Sequence, residues 1–306
     1  MTTTGEYFTT QSGYRRYLFR IMTSTIATKL RASAELIRMD LALGAGFFFV
    51  AGEIFAFGGL PPFHLVILGF LTLFFISGSA NISNDYFDRE VDRVNLPSRP
   101  LPSGRISVTE LWALFSLFTA SGMIGAAFLG PLVLVLVVLF WCIALAYNIK
   151  LKDAGFAGNL VVAACIGMTI VLGAIAAGTV NGVVLTFAAL AFFFDLGLEI
   201  AADTMDVQGD EQRSSRSLAH RWGRARALRI SALWLTVFFL VTPVPFLAGW
   251  LGYDYLLLIG TADLWMIACT VRLVASPTIE EGRRQIRRLY LTWGLFVIVF
   301  TLTRLL

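Results

Sequence analysis

Long apolar runs alternate with short polar breaks along most of the 306-residue chain. Nine of these runs approach the length of about 20 residues that a helix needs to cross a hydrocarbon core. They cover roughly 41–59, 64–83, 108–128, 131–148, 158–178, 182–200, 228–249, 253–271 and 289–306. Inside each run the apolar residues are continuous and lack the every-other-residue alternation of a lipid-facing barrel strand, so the pattern predicts helices. The expected fold class is therefore an all-α membrane protein with nine transmembrane helices.

The breaks set the orientation. Basic residues precede the first span and follow the second, fourth, sixth and eighth, so that 23 of the 24 Lys and Arg lie on one side, with Arg304 the exception. The positive-inside rule makes that side cytoplasmic. Connections on the other side, such as 58–63, 128–131 and 178–182, are short and uncharged and offer no room for a site. Residues 1–40 read as a cytoplasmic tail without a cleavable signal peptide, disordered at its start and ending in an interfacial helix around 26–39. Residues 41–306 form the nine-helix domain.

Composition agrees with a lipid solvent: 57% of residues are hydrophobic, 14% are charged, and the mean hydropathy is +0.76. The net charge of +4 is accounted for by topology, so it implies no nucleic acid; a basic cytoplasmic face favours anionic headgroups and diphosphate. Cys142, Cys165 and Cys269 fall within spans and read as packing residues, not disulfides.

Against this background two acidic clusters stand out, Asn84-Asp85-Tyr-Phe-Asp88-Arg-Glu-Val-Asp92 and Asp203-Thr-Met-Asp206-Val-Gln-Gly-Asp210. Each sits where an apolar run breaks, in a chain with 20 Asp and Glu in all. Four-residue spacing puts Asp88 with Asp92, and Asp206 with Asp210, on one side of a helix; Asp203 joins the second set at a three-residue step. Like charges so close need a cation between them, and hard oxygen ligands suit Mg²⁺ bound together with substrate phosphates. Asn84 adds a neutral oxygen one turn before Asp88. The clusters follow the second and sixth spans, which suggests two similar four-helix units, with a ninth helix added, facing one cavity.

Basic groups should neutralise the rest of a diphosphate. Candidates are Lys150 and Lys152, ending the fourth span, and Arg99 and Arg105 in a proline-rich loop; each is equally readable as a membrane-side anchor. Tyr147 is either an interfacial aromatic or an active-site group. Glu53, Asp195, Glu199 and Asp263 are isolated acids within or beside spans, either helix-packing hydrogen-bond groups or functional ones.

The stretch from Asn84 to Asp92, followed by Asn95-Leu-Pro-Ser-Arg99-Pro-Leu-Pro-Ser-Gly-Arg105, closely resembles the first signature of the UbiA superfamily of intramembrane prenyltransferases. Residues 203–210 resemble the second signature, and Tyr147 through Asn159 resemble the Tyr, Lys and Gly-Asn segment between them. The resemblance runs from about residue 35 to the C-terminus. It implies a helical bundle around a central cavity with a cytoplasmic cap, and transfer of a prenyl group from a prenyl diphosphate to a hydrophobic acceptor. It also implies Mg²⁺ held through Asn84, Asp88, Asp92, Asp206 and Asp210; Asp85 and Asp203, in the same clusters, are further candidate metal ligands. Among members the motifs look most like the archaeal-type digeranylgeranylglyceryl phosphate synthases. Two positions depart from the pattern: Ala202 stands where a Lys is common, and Arg38-Met-Asp40 lacks the usual Arg-Pro.

The expected mechanism is metal-assisted ionisation of the allylic C–O bond, with the cation sheltered among some of the 26 Phe rings. Tyr147 or Asp203 would orient the attacking group or take its proton. Other readings are an aromatic or chlorophyll-type acceptor, or a terpene cyclase of the same fold that uses diphosphate alone. Ion transport is disfavoured, because the polar motifs cluster on one side and the other is bare.

Overall fold

Every apolar run is helical in the computed structural model, which describes residues 27–205 and 217–305. Asp206, Asp210 and the start of the tail lie outside the described residues. A helix α1 covers 27–37. It is followed by α2 (Met39–Phe57), α3 (Phe63–Phe87), a short α4 (Arg89–Asn95), α5 (Val108–Leu129), α6 (Pro131–Ile149), α7 (Phe156–Ala176) and α8 (Gly182–Asp203). Then come a short α9 (Leu218–Trp222), α10 (Arg224–Val241), the one-turn α11 (Val244–Leu247), α12 (Tyr253–Val274) and α13 (Ile279–Thr303). Counting α10 with α11 as one span, nine segments among the described residues are long and apolar enough to cross a membrane.

Local chemistry explains the boundaries. Ser107 and Glu110 form a reciprocal capping box that starts α5, and Pro131 opens α6, where its missing N–H costs nothing. The Asn181 side chain accepts from the Val184 N–H at 3.0 Å to start α8. Two spans are longer than the apolar runs predict. The helix α3 continues to Phe87 and carries Asn84 and Asp85 on its last turn. The helix α13 begins at Ile279 instead of 289, because Gln285, Ile286 and Leu289 are buried on one side of a stretch whose charged residues break the apolar run.

The helices pack in a closed arrangement that puts α2 and α8 at its most enclosed positions. The helix α2 lies against α3 and α7, α8 lies against α7 and α10, and α13 pairs with α12 while touching α2 and α8. Glycine permits the α2–α7 crossing: a Cβ on Gly52 would overlap the Ile170 carbonyl oxygen, and one on Gly173 the Phe49 carbonyl oxygen. Many aromatic rings are spent on the packed core between α8 and α13; Phe187 and Phe300, for example, stack at 5.2 Å.

On the basic side α1 is fastened to the bundle. Ala32, Leu36 and Ile37 are buried with Ile82, Ile106, Leu111 and Phe118. Lys29 pairs with Glu110 at 2.8 Å and Arg105 pairs with Glu35 at 2.6 Å, so α1 also pins the loop between α4 and α5.

Candidate active site

The first acidic motif straddles the end of α3. The Asp88 N–H donates to the Asn84 carbonyl at 2.9 Å, and the Asp88 carbonyl accepts from the Asp92 N–H at 2.8 Å, so the helical four-residue rhythm carries through into α4. Asp85, Asp88 and Asp92 are only 4%, 8% and 5% exposed. Buried carboxylates are costly unless paired, and all three are paired with cations from elsewhere in the chain. Asp92 Oδ2 accepts from Arg99 at 2.7 Å, Asp85 Oδ1 accepts from Arg38 at 3.3 Å and Arg99 at 3.4 Å, and Asp88 pairs with Lys152.

In the sequence Arg38 reads as a topological charge and as part of a stretch that departs from the family pattern, not as a partner of the first motif. It also donates to Asn84 Oδ1 at 2.7 Å. Its φ of 50° makes it the one non-glycine residue in the left-handed region among those described, a conformation that costs of order 1 kcal/mol and aims the guanidinium at the motif. Asn148 is a second residue that sequence reasoning passed over. Its amide donates to the Ala80 carbonyl and to Ser83 Oγ, both at 2.8 Å, and its Oδ1 accepts from Asn84 at 3.2 Å, which fixes the Asn84 side chain. A buried Asn at the end of an apolar helix was the available signal.

The other side of the site comes from α7 and α8. Asp203 ends α8, and its Oδ2 accepts from Asn159 of α7 at 3.0 Å. Tyr147, half-buried on α6, reaches the start of α7, its ring 3.4 Å from where a Cβ on Gly158 would stand, one residue before the Asn159 that holds Asp203. The first motif and the end of α8 therefore face a common space.

Not every expected residue joins it. Lys152 lies in the 3₁₀ turn Leu151–Ala154 and folds onto Asp88, whereas Lys150 is exposed at the end of α6. Arg105 donates to Glu35 at 2.9 and 2.6 Å and to the Ser98 carbonyl at 2.6 Å, so it holds the cap together. That guanidinium holds the Glu35 carboxyl below its ordinary value.

Among the described residues no three His, Cys, Asp or Glu side chains converge as a ready metal site. The donor set still fits a hard cation: buried Asp88 and Asp92 and part-buried Asn84 offer oxygens, and all three already draw cationic side chains. Asp206 and Asp210 follow directly in sequence from the end of α8.

These features define a multi-pass integral membrane protein with a charge-rich site at the basic ends of its helices. The chain belongs to the UbiA prenyltransferase family, whose profile matches residues 45–298, and is a prenyltransferase. It is 34% identical over 278 residues to the digeranylgeranylglyceryl phosphate synthase of Thermococcus kodakarensis, covering 90% of this chain and 99% of that one. The synthase of Methanosphaera stadtmanae is 33% identical, over 86% of this chain and 94% of its own. Among solved structures, one described as giving insights into digeranylgeranylglyceryl phosphate synthase in membranes superposes with a TM-score of 0.74 at 25% identity, over 90% of this chain and 98% of that one. A UbiA homolog from Archaeoglobus fulgidus, solved with GPP and Mg²⁺, shares the fold with a TM-score of 0.67 at 19% identity, over 89% and 99% of the two chains.

Proposed function

We propose that the chain transfers a geranylgeranyl group from geranylgeranyl diphosphate to the free hydroxyl of geranylgeranylglyceryl phosphate, with Mg²⁺, at the cytoplasmic face. The observation that carries the reading is that α6 and the turn after it join the two sides, with Lys152 on Asp88, Tyr147 against Gly158 beside the Asn159 that holds Asp203, and Arg99 on Asp92. A polyanionic leaving group needs such a mixture of acids and cations. Likeness along nearly the whole chain to relatives named for this reaction supports the choice of substrates.

In this reading Asn84, Asp88 and Asp92, with Asp206 and Asp210, hold Mg²⁺, which when bound supplies positive charge to the leaving diphosphate. Lys152 and Arg99 bring further charge to the same oxygens. Arg38 adds a third cation beside Asn84. Tyr147 and Asp203, the latter fixed by Asn159, orient the incoming substrate. The apolar helices below exclude water, so the allylic cation meets the intended nucleophile.

The test is protein purified in detergent and incubated with geranylgeranyl diphosphate and Mg²⁺, with and without geranylgeranylglyceryl phosphate, read by mass spectrometry. A doubly alkylated glycerol phosphate that appears only with the second substrate, and vanishes with EDTA, is the expected result. A cyclic hydrocarbon formed from diphosphate alone, or alkylation of an aromatic substrate only, would replace this reading.

A further inference from the structure

The chemistry above leaves one proton to be placed. Joining an alcohol oxygen to C1 of the prenyl chain breaks the C1–O bond, sends its electron pair away on the diphosphate, and frees the hydroxyl proton. The leaving diphosphate occupies one face of C1, so the alcohol arrives on the other, deeper in the bundle. The carboxylates of the two motifs lie on the diphosphate side.

Asp195 lies on the deeper side of both motifs. It is two turns of α8 before Asp203, about 12 Å deeper by helical rise, with Glu199 between them on the same face. The residue is 7% exposed. Its Oδ1 accepts from the Tyr290 hydroxyl of α13 across a long 3.5 Å, and its Oδ2 is buried without a hydrogen-bond partner among the described residues. The helix α8 packs against α7 and α10 and touches α2 and α13, and Tyr290 of α13 reaches the carboxylate, so the residue is enclosed by the bundle. The ring of Phe194 meets Tyr290 edge-on at 5.9 Å, on the enclosed side of a residue that is itself 42% exposed.

An acid left half-satisfied inside a membrane protein is expensive and calls for a functional account. Glu53 and Asp263 also hold buried carboxylate oxygens without a hydrogen-bond partner among the described residues, but in different settings. Asp263 Oδ2 accepts from Thr242 at 2.7 Å, at the break between α10 and α11. Glu53 is wedged in the α2–α3 contact, its Oε1 within 2.6 Å of where a Cβ on Gly69 would stand. Of these three acids Asp195 is the one on the helix that carries Asp203, two turns deeper.

We propose that Asp195, positioned by Tyr290, is the base of the transfer reaction: its Oδ2 accepts the hydrogen bond of the alcohol substrate and takes its proton as the ether bond forms. Tyr290 donates to the other oxygen and so orients the carboxylate. The inference rests on the proposed alcohol substrate, and it adds a residue outside both acidic motifs.

The experiment compares wild type with Asp195→Asn, Asp195→Glu and Tyr290→Phe. Each is given geranylgeranyl diphosphate and Mg²⁺, with and without geranylgeranylglyceryl phosphate, and ether, prenyl alcohol and released diphosphate are all measured. Asp195→Asn should lower ether formation about 100-fold, within the span of general-base effects. Diphosphate release without the second substrate, and KM for geranylgeranyl diphosphate, should stay within about threefold of wild type, the range left to a group that does not touch the diphosphate. Product should shift toward prenyl alcohol, Asp195→Glu should recover part of the ether, and Tyr290→Phe should show a smaller loss in the same direction. Unchanged ether formation in Asp195→Asn overturns the assignment. So does a parallel fall of ether formation and diphosphate release, which marks a packing role. Should Asp195→Asn fail to fold, unchanged partitioning in both Tyr290→Phe and Asp195→Glu overturns it equally. A wild type that releases diphosphate but makes no ether refutes the substrate reading itself, and the base assignment falls with it.

Discussion

Lys150 and Lys152 are two residues apart, yet the structure separates them, and their Met variants should differ in kind. The side chains of Lys152 and Asp88 are 15% and 11% exposed, so their pairing is close to buried, while Lys150 is exposed. Removing one partner of a fully buried pair costs about 3–5 kcal/mol because the remaining charge is stranded. At saturating Mg²⁺ the metal satisfies Asp88 in the proposed site, so that penalty is relieved and the lost term is the ammonium–phosphate bond. A hydrogen bond to a charged group contributes about 2 kcal/mol, equivalent to about 30-fold in kcat/KM. Lys152→Met, which keeps the apolar stem, should therefore lower kcat/KM for prenyl diphosphate about 30-fold, and Lys150→Met less than about twofold. Steady-state rates against prenyl diphosphate at saturating Mg²⁺ decide it. A Lys152→Met variant within threefold of wild type, or two variants with equal losses, would refute the reasoning.

Three further outcomes are expected. Gly173→Ala would drive a methyl group into the Phe49 carbonyl and should cost about 1–3 kcal/mol, seen as a lower melting temperature in detergent with KM little changed. Because Arg105 depresses the Glu35 carboxyl from its ordinary 4.5, their clasp stabilises α1 at pH values above that value and is lost as pH falls through the lower folded value; proteolysis of α1 should rise there, and Arg105→Gln should abolish the pH dependence. In a background without Cys142, Cys165 and Cys269, a cysteine at Ser103 should resist an impermeant thiol reagent in intact cells and react after permeabilisation, while one at Thr179 reacts at once; the reverse pattern would invert the topology.

The number and type of the spans were legible because lipid leaves few choices: a long continuous apolar run has to be a helix. What apolarity did not mark was how helices end. The start of α13 was missed because a helix leaving the bilayer takes on charge while keeping one buried side, as Gln285, Ile286 and Leu289 do. At the site, the acids of the first motif were legible from spacing, since four residues make a helical turn whatever the rest of the fold does. Their partners were not, because Arg38, Arg99 and Lys152 reach them from separate segments, and sequence spacing says nothing of such meetings. Lys150 and Lys152 read alike in sequence; only the 3₁₀ turn at Leu151–Ala154 distinguishes them.

That arrangement bears on how the site works. Asp85, Asp88 and Asp92 are neutralised by cations brought by the turn before α2, the loop after α4 and the turn before α7. A buried acidic motif is thus kept intact by the protein's own charges, which are the charges suited to a diphosphate. Binding a metal–diphosphate then exchanges one set of ion pairs for another and leaves no carboxylate stranded, so the net cost of desolvation is small. The three segments must move little for the exchange, and α1 restrains one of them through the Arg105–Glu35 pair. On the far side the one exceptional cation follows the same logic: Arg304 pairs with Asp254 and lies 4.9 Å over the ring of Phe300, so it adds no net charge to that face. Loosening α1 should therefore weaken diphosphate binding through Arg99, even though neither Glu35 nor Arg105 touches the acidic motif.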